Sequence, residues 1–265
     1  MEQKATQLGL KHAKIINPTG LTNGEMGPLK SANYSNNDEN EMSAKDVALL
    51  TRYLIRSYPA ILQVSAQPRA NFLISKGNVK SLANLNKMLP GGKYTVPGVT
   101  INGLKTGTSD KAGTCFVSTG QYRHHQIITV VLHANGNNAD NRFVQTQRLY
   151  QMLKNDYRLQ QIKLPEDVAN PKIDNGAVKT LATNPQRLGI WSDRKLRSYT
   201  VSQDFNDRLT DRSQNLRAPI KKGQKIGHLR LTSAQLKTVS NEPLTYPLYS
   251  NQTVERGSFF ARLFQ

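Results

Sequence analysis

Cysteine is almost absent. Cys115 stands alone among 265 residues, so no intramolecular disulfide framework exists, and no Cys/His cluster has the spacing of a zinc site. Long apolar runs are missing too, and nothing approaches the roughly 18 residues that a transmembrane helix requires. Aromatic residues make up only 7% of the chain and are scattered. No glycine loop of the phosphate-binding kind occurs, and there is no internal repeat or low-complexity tract. The first ten residues, MEQKATQLGL, lack the basic stretch and apolar core of a secretory signal. Acidic residues are also in short supply, with 18 Asp+Glu against 36 Lys+Arg, a net charge of +18.

What is present suits a folded protein. Hydrophobic residues at 37% and charged residues at 20% can bury a core, and the length fits one large domain or two ordinary ones. A pI near 10.1 attracts polyanions. The charge is spread evenly: residues 1–160 carry 19 basic and 9 acidic side chains, and residues 161–265 carry 17 and 9. Nucleic-acid binders concentrate their charge and interleave aromatics for stacking. That footprint is missing, so nucleic acid is not an expected partner, whereas acidic polymers or an anionic membrane surface are.

Along the chain, residues 1–9 read as the last turns of a helix stopped by Gly9, and residues 17–42, dense in Asn, Gly, Pro and Ser, as a long loop. Ser43 is positioned to cap a helix with Asp46 as its partner, and Val47, Leu50, Leu54 and Ile55 continue at helical spacing until Pro59. Residues 99–104, 113–119 and 126–133 are strand candidates. The unbroken apolar core of the last, QIITVVLH, predicts a central strand. Residues 140–154 return to helix, with Phe143, Tyr150 and Leu153 on one side. This is an α+β domain with helices on an antiparallel sheet. Residues 156–176 read as a linker or linking strand. Short β-like runs at 177–183, 187–191, 197–202, 225–231 and 244–249 predict a small all-β domain. Phe259, Phe260, Leu263 and Phe264 share a helical face, the start of an amphipathic membrane-surface segment or of a helix folded back on its domain.

The sharpest chemical signal is Lys105-Thr106-Gly107-Thr108 at the end of a strand candidate. A K-T-G on a strand resembles one of three signatures of penicillin-recognising serine enzymes, the others being S-x-x-K and S-x-N. A lysine ammonium attracts a substrate carboxylate and neighbouring hydroxyls can hydrogen-bond it. Gly107 lets substrate approach the backbone, and the Thr108 N–H can serve an oxyanion hole. By itself the tetrapeptide also fits an ordinary strand-to-turn sequence.

The surroundings carry more. Residues 101–113, INGLKTGTSDKAG, resemble the D-alanyl-D-alanine carboxypeptidases, the low-molecular-mass penicillin-binding proteins of peptidase family S11. Upstream, Gln7-Leu8-Gly9-Leu10 followed by Asn17-Pro18-Thr19-Gly20-Leu21 is similar to that family's "LGM…N-x-H-G-L" stretch, with Thr19 where a His is common. Met42-Ser43-Ala44-Lys45-Asp46-Val47-Ala48 is similar to its helix start. The resemblance covers essentially the whole chain. It implies a partial penicillin-recognising serine hydrolase domain (residues 1–160), a β-rich C-terminal domain (161–253) and the start of a membrane-surface segment (254–265). It further implies trimming of peptidoglycan stem peptides ending in D-Ala-D-Ala through a serine acyl-enzyme, acylation of the longer parent by β-lactams, no metal or organic cofactor, and a place on the outer face of the cytoplasmic membrane. Substrate would be held by Lys105, Thr106, Gly107 and Thr108.

The resemblance also exposes a gap. In that family S-x-x-K and then S-x-N precede the blocks found here. The one S-x-x-K, Ser192-Asp193-Arg194-Lys195, follows the K-T-G in a charged, β-rich region; Ser31-Ala32-Asn33, Ser35-Asn36-Asn37 and Ser213-Gln214-Asn215 match S-x-N only in polar loops. The expectation is a chain that begins inside the parent enzyme and lacks its nucleophile. Two alternatives stay open, a non-catalytic envelope-binding protein and a degraded remnant. Cys115 with His124, His125 or His133 is a weaker candidate for a thiol nucleophile, the two adjacent histidines are a poor metal pair, and Glu39 and Glu41 read as solvated charge.

Overall fold

The structure is a computed structural model that describes residues 1–136 and 138–258. The chain divides between residues 155 and 156 into two units. The first contains α1 (Glu2–Gln7), a long loop with a 3-10 segment, α2 (Ala44–Ser57), α3 (Ala60–Ser65), a hairpin of β1 (Arg69–Ser75) and β2 (Asn78–Ala83), an antiparallel sheet of β3 (Thr100–Ser109), β4 (Gly113–Tyr122) and β5 (His125–Ala134), and α4 (Asn141–Asp156).

Local chemistry accounts for the helices. The Ser43 hydroxyl accepts from the Asp46 N–H at 3.1 Å and the Asp46 carboxylate accepts from the Ser43 N–H at 3.2 Å, a capping box that starts α2. Pro59 separates α2 from α3. The deepest apolar residues of α2 are Leu49 and Ile55, while Val47, Leu50 and Leu54 are half-buried, so the helix is covered over a wider arc than the expected stripe.

The sheet is covered on both faces. On one, Phe116 of β4 meets Phe143 of α4 edge to face at 5.2 Å, and Ser118 Oγ and Tyr150 OH form a buried hydrogen bond of 3.0 Å. On the other, Ser65 of α3 donates to the Asn102 carbonyl at 2.8 Å, and Thr119 donates to the Asn102 side chain at 2.8 Å. Strand order is β3-β4-β5, so β4 is central and β5 lies at the edge of the sheet among the described residues. The expectation of a central β5 is corrected: its apolar run reflects helices on both faces, which centrality and double coverage write identically.

The second unit is β-rich. It contains β6 (Arg158–Lys163), α5 (Glu166–Ala169), β7 (Ile173–Asp174), β8 (Thr183–Asn184), β9 (Arg187–Ser192), β10 (Thr200–Phe205), β11 (Leu216–Arg217), β12 (Lys225–Thr232) and β13 (Leu244–Ser250). Four strands run in the order β10-β12-β13-β8, and β6 pairs with β9. Leu181, Leu188, Leu216, Ile220, Ile226, Leu229 and Leu248 are 0–1% exposed at its centre. Two expectations change here. Of the two readings of residues 156–176, the strand holds at β6 (Arg158–Lys163) and the linker does not, because Ile162, Leu164, Val168 and Ile173 supply core. Residues 177–183 form no long strand: Thr180 makes an isolated bridge to Lys172, and Leu181 is used for packing. Val254 is buried and bridges Ile220, and Arg256 bridges Gly176. The apolar face from Phe259 to Phe264 lies outside the described residues.

Candidate functional site

β3 changes character along its length. Ile101 and Gly103 are buried in the packed sheet, whereas Lys105, Gly107 and Thr108 are exposed. Beyond this strand lies a cavity of about 790 Å³ lined by Lys105, Thr106, Gly107 and Thr108, by Thr19, Leu21 and Glu39 of the long loop, and by Asp140 and Arg142 at the start of α4. The four residues expected from the sequence thus share one cavity. The Lys105 amine donates to the Thr106 carbonyl at 2.5 Å and stays on the strand that bears it. Gly107 is open: a Cβ built on it meets nothing within 4 Å, so room for a ligand is left along the backbone.

Arg142, which sequence reasoning passed over, ties this strand to α4. Only 8% exposed, it donates to the Gly107 carbonyl at 2.9 Å, the Cys115 carbonyl at 3.2 Å, the Thr108 hydroxyl at 2.9 Å and the Ala139 carbonyl at 2.7 Å. Two of these four hydrogen bonds fix Gly107 and Thr108 through a rigid fork, and the other two tie it to β4 and to the start of α4. The one signal in the sequence is a cation in the first turn of a helix, where the dipole disfavours it. Asp140 is clamped beside it by Lys87 at 2.6 Å and Tyr94 at 3.1 Å. The Lys87 hydrogen bond, with help from Tyr94 and against partial burial, holds the Asp140 carboxyl below its ordinary pKa.

The facing wall is the long loop, stitched by asparagine amides. Asn40 Oδ1 accepts from the backbone N–H groups of Ile16 at 2.6 Å and Asn17 at 3.2 Å, and Asn40 Nδ2 returns to the Asn17 carbonyl at 2.8 Å. Asn17 Oδ1 accepts from the Thr19 and Gly20 N–H groups at 3.1 and 2.9 Å. Thr19 gives its hydroxyl proton to Asn17 at 2.8 Å and lines the cavity. Lys111, in the β3–β4 turn, reaches the Asn37 carbonyl and joins the two walls.

The remaining candidates separate. Cys115 sits opposite Gly107 and lines the cavity, but its thiol donates to the Ala112 carbonyl at 3.3 Å, and His133 approaches it through the backbone N–H at 3.5 Å. His124 and His125 lie at the β4–β5 turn, and among the described residues no three His, Cys, Asp or Glu gather as metal ligands. Ser192 ends β9, with its hydroxyl on the Arg194 carbonyl at 2.5 Å. Glu41 pairs with Lys14 at 3.7 Å. Glu39 is a correction: expected in solvent, it is 7% exposed.

The family model described as D-alanyl-D-alanine carboxypeptidase matches residues 1–136, more than half of the chain. The chain belongs to that family. The carboxypeptidase DacF of Bacillus subtilis is 27% identical over 235 residues, covering 87% of this chain and 53% of its own length. The chain therefore spans about half the length of that curated relative. The crystal structure of a peptidoglycan synthesis regulatory factor (PBP3) from Streptococcus pneumoniae is similar at a TM-score of 0.75 and 27% identity, covering 96% of this chain and 68% of that one. Penicillin binding protein 5 of Haemophilus influenzae shares the fold at a TM-score of 0.54 and 18% identity, over 96% of this chain and 64% of its own. The mixed α+β architecture is that of the penicillin-binding DD-peptidases. Among the described residues no helix is long and apolar enough to cross a membrane.

Proposed function

We propose that the chain carries the carboxylate-binding half of a serine-type D-Ala-D-Ala carboxypeptidase site acting on peptidoglycan stem peptides in the cell envelope. Lys105 attracts the terminal carboxylate, Thr106 and Thr108 hydrogen-bond it, the open backbone at Gly107 admits the peptide, and the Thr108 N–H belongs to the oxyanion hole. Arg142 positions the last two by fixing the Gly107 carbonyl and the Thr108 hydroxyl. The observation that carries this reading is the unobstructed groove over Gly107, flanked by Lys105, Thr106 and Thr108, the last of them held by the buried Arg142. Residues 1–160 act as the C-terminal part of the catalytic domain and residues 161–253 as a β-rich module suited to acidic wall polymers.

In this reading the chemistry is acyl transfer to water, which needs a nucleophilic serine activated by a base. The first unit contains no S-x-x-K. The 265 residues therefore bind peptides ending in D-Ala-D-Ala, and β-lactams reversibly, without turning them over. A fluorescent penicillin incubated with the purified chain leaves no covalent label after denaturation, and a D-Ala-D-Ala peptide binds saturably and loses affinity in Lys105→Ala. Stoichiometric labelling would contradict the assignment and would mark a different nucleophile.

A further inference from the structure

The β1 and β2 strands form a hairpin in which every residue except Ala70 is exposed, and among the described residues neither strand joins a larger sheet. Its side chains are nonetheless apolar. Phe72, Leu73 and Ile74 on one strand and Val79 and Leu82 on the other are 43–71% exposed. Leu73 stands opposite Val79, Phe72 opposite Lys80 and Ala70 opposite Leu82, with Lys76 in the turn. The base of the hairpin is tied down: Asn84 Nδ2 donates to the Ser65 and Gln67 carbonyls at 3.1 and 3.0 Å, and the Asn84 N–H to the Pro68 carbonyl at 2.8 Å. A two-stranded hairpin without a covering layer is marginal in water, and a contiguous exposed apolar surface marks an interaction site.

Charge selects the occupant. No Asp or Glu occurs between Asp46 and Asp110, a stretch that carries eight Lys and Arg. Three of these, Arg69, Lys76 and Lys80, belong to the hairpin, and none of the three enters a salt bridge among the described residues. A second copy would set like charges against one another, which disfavours self-association. A polyanion in solution would satisfy the cations and leave the apolar side chains in water. An anionic lipid surface takes both, with acyl chains covering the apolar tip and phosphate headgroups meeting the cations. We infer that the β1–β2 hairpin is a membrane-contact element that inserts its tip, Leu73, Ile74 and Val79, into an anionic bilayer. The contact belongs to the first unit and stands without the carboxylate cradle and without the apolar stretch from Phe259 to Phe264.

The test floats the 265-residue chain with vesicles of phosphatidylcholine, either pure or containing about 30% phosphatidylglycerol. The wild-type chain binds the anionic vesicles at least about tenfold more tightly, because each cation near such a surface adds to the attraction. Leu73→Ser combined with Ile74→Ser weakens that binding at least about tenfold, since two large apolar side chains then stay out of the bilayer. Both positions face solvent, so the double variant melts like the wild type. Leu73→Trp reports on the tip itself: its emission shifts to the blue on anionic vesicles, beyond any shift shown by Trp191 in the wild-type chain. Equal binding to the two kinds of vesicle, undiminished binding by the double variant, or a Leu73→Trp emission that moves no further than the wild type's overturns the inference. So does an equal blue shift with soluble polyphosphate, which makes the ligand a polyanion in solution. A wild-type dimer that the double variant abolishes overturns it too, and makes the occupant a second copy.

Discussion

Gly107→Ala separates the groove from the fold. Gly107 is not among the positive-φ residues, and a Cβ on it meets nothing within 4 Å, so alanine fits without strain. Restricting the unfolded chain then stabilises the protein by about 0.4–1 kcal/mol. For a unit of about 150 residues that raises the melting temperature by roughly 1–4 °C. The same methyl group occupies the floor of the groove where a peptide would lie against the strand. Forcing a methyl-sized overlap costs about 1–3 kcal/mol, or roughly 5- to 150-fold in affinity. Gly103→Ala is the matched control. Its Cβ would fall 2.7 Å from Thr119 Oγ1 and 2.8 Å from Ser65 Oγ, which destabilises the sheet. Thermal unfolding by circular dichroism and titration with a D-Ala-D-Ala peptide read the two effects. A Gly107→Ala chain that melts several degrees lower, or that binds peptide like the wild type, refutes the reasoning.

Arg142→Ala removes four hydrogen bonds from a buried fork and leaves two β-strand carbonyls short of a donor; it lowers stability by about 2–4 kcal/mol in urea titrations and weakens peptide binding, and Arg142→Lys does not restore either fully. Ser43→Ala dismantles the capping box of α2 and costs about 1 kcal/mol, read by the same titrations. Asp46 links that box to pH. Burial opposes its ionisation, but the hydrogen bonds from Ser43 outweigh burial and hold its pKa below the ordinary 3.8. The unfolded chain then binds the proton more readily, so this contribution to stability is complete above pH 3.8 and is lost as pH falls through the lowered folded value. Ser43→Ala flattens that acid limb, and an unchanged limb contradicts the assignment.

The helices and strands were legible where local chemistry repeats: Ser43 with Asp46 and then Pro59 bracket α2, and the turns around Gly113 and at residues 123–124 bracket β4. Strand order was not, because an apolar run such as QIITVVLH records coverage of both faces and carries no information on which neighbours bond its edges. The site was half legible. Lys105 to Thr108 are contiguous and carry their chemistry in the sequence. Arg142 lies 34 residues after Thr108, and nothing local shows that its guanidinium folds back on it. Glu39 was misread because an acidic residue in a polar loop normally faces water; only the asparagine stitching of residues 17 and 40 reveals that this loop is a wall. In the second unit, Pro165 and Pro171 suggested a linker, yet Ile162, Val168 and Ile173 between and beside them are core.

The central claim is that the groove beside Lys105 grips a carboxylate. Isothermal titration with a D-Ala-D-Ala peptide and its C-terminal amide tests it directly, since the two differ in the acid end alone. The account predicts that the acid binds at least about tenfold more tightly than the amide, and that the difference disappears in Lys105→Ala. Equal binding of acid and amide by the wild-type chain would contradict it.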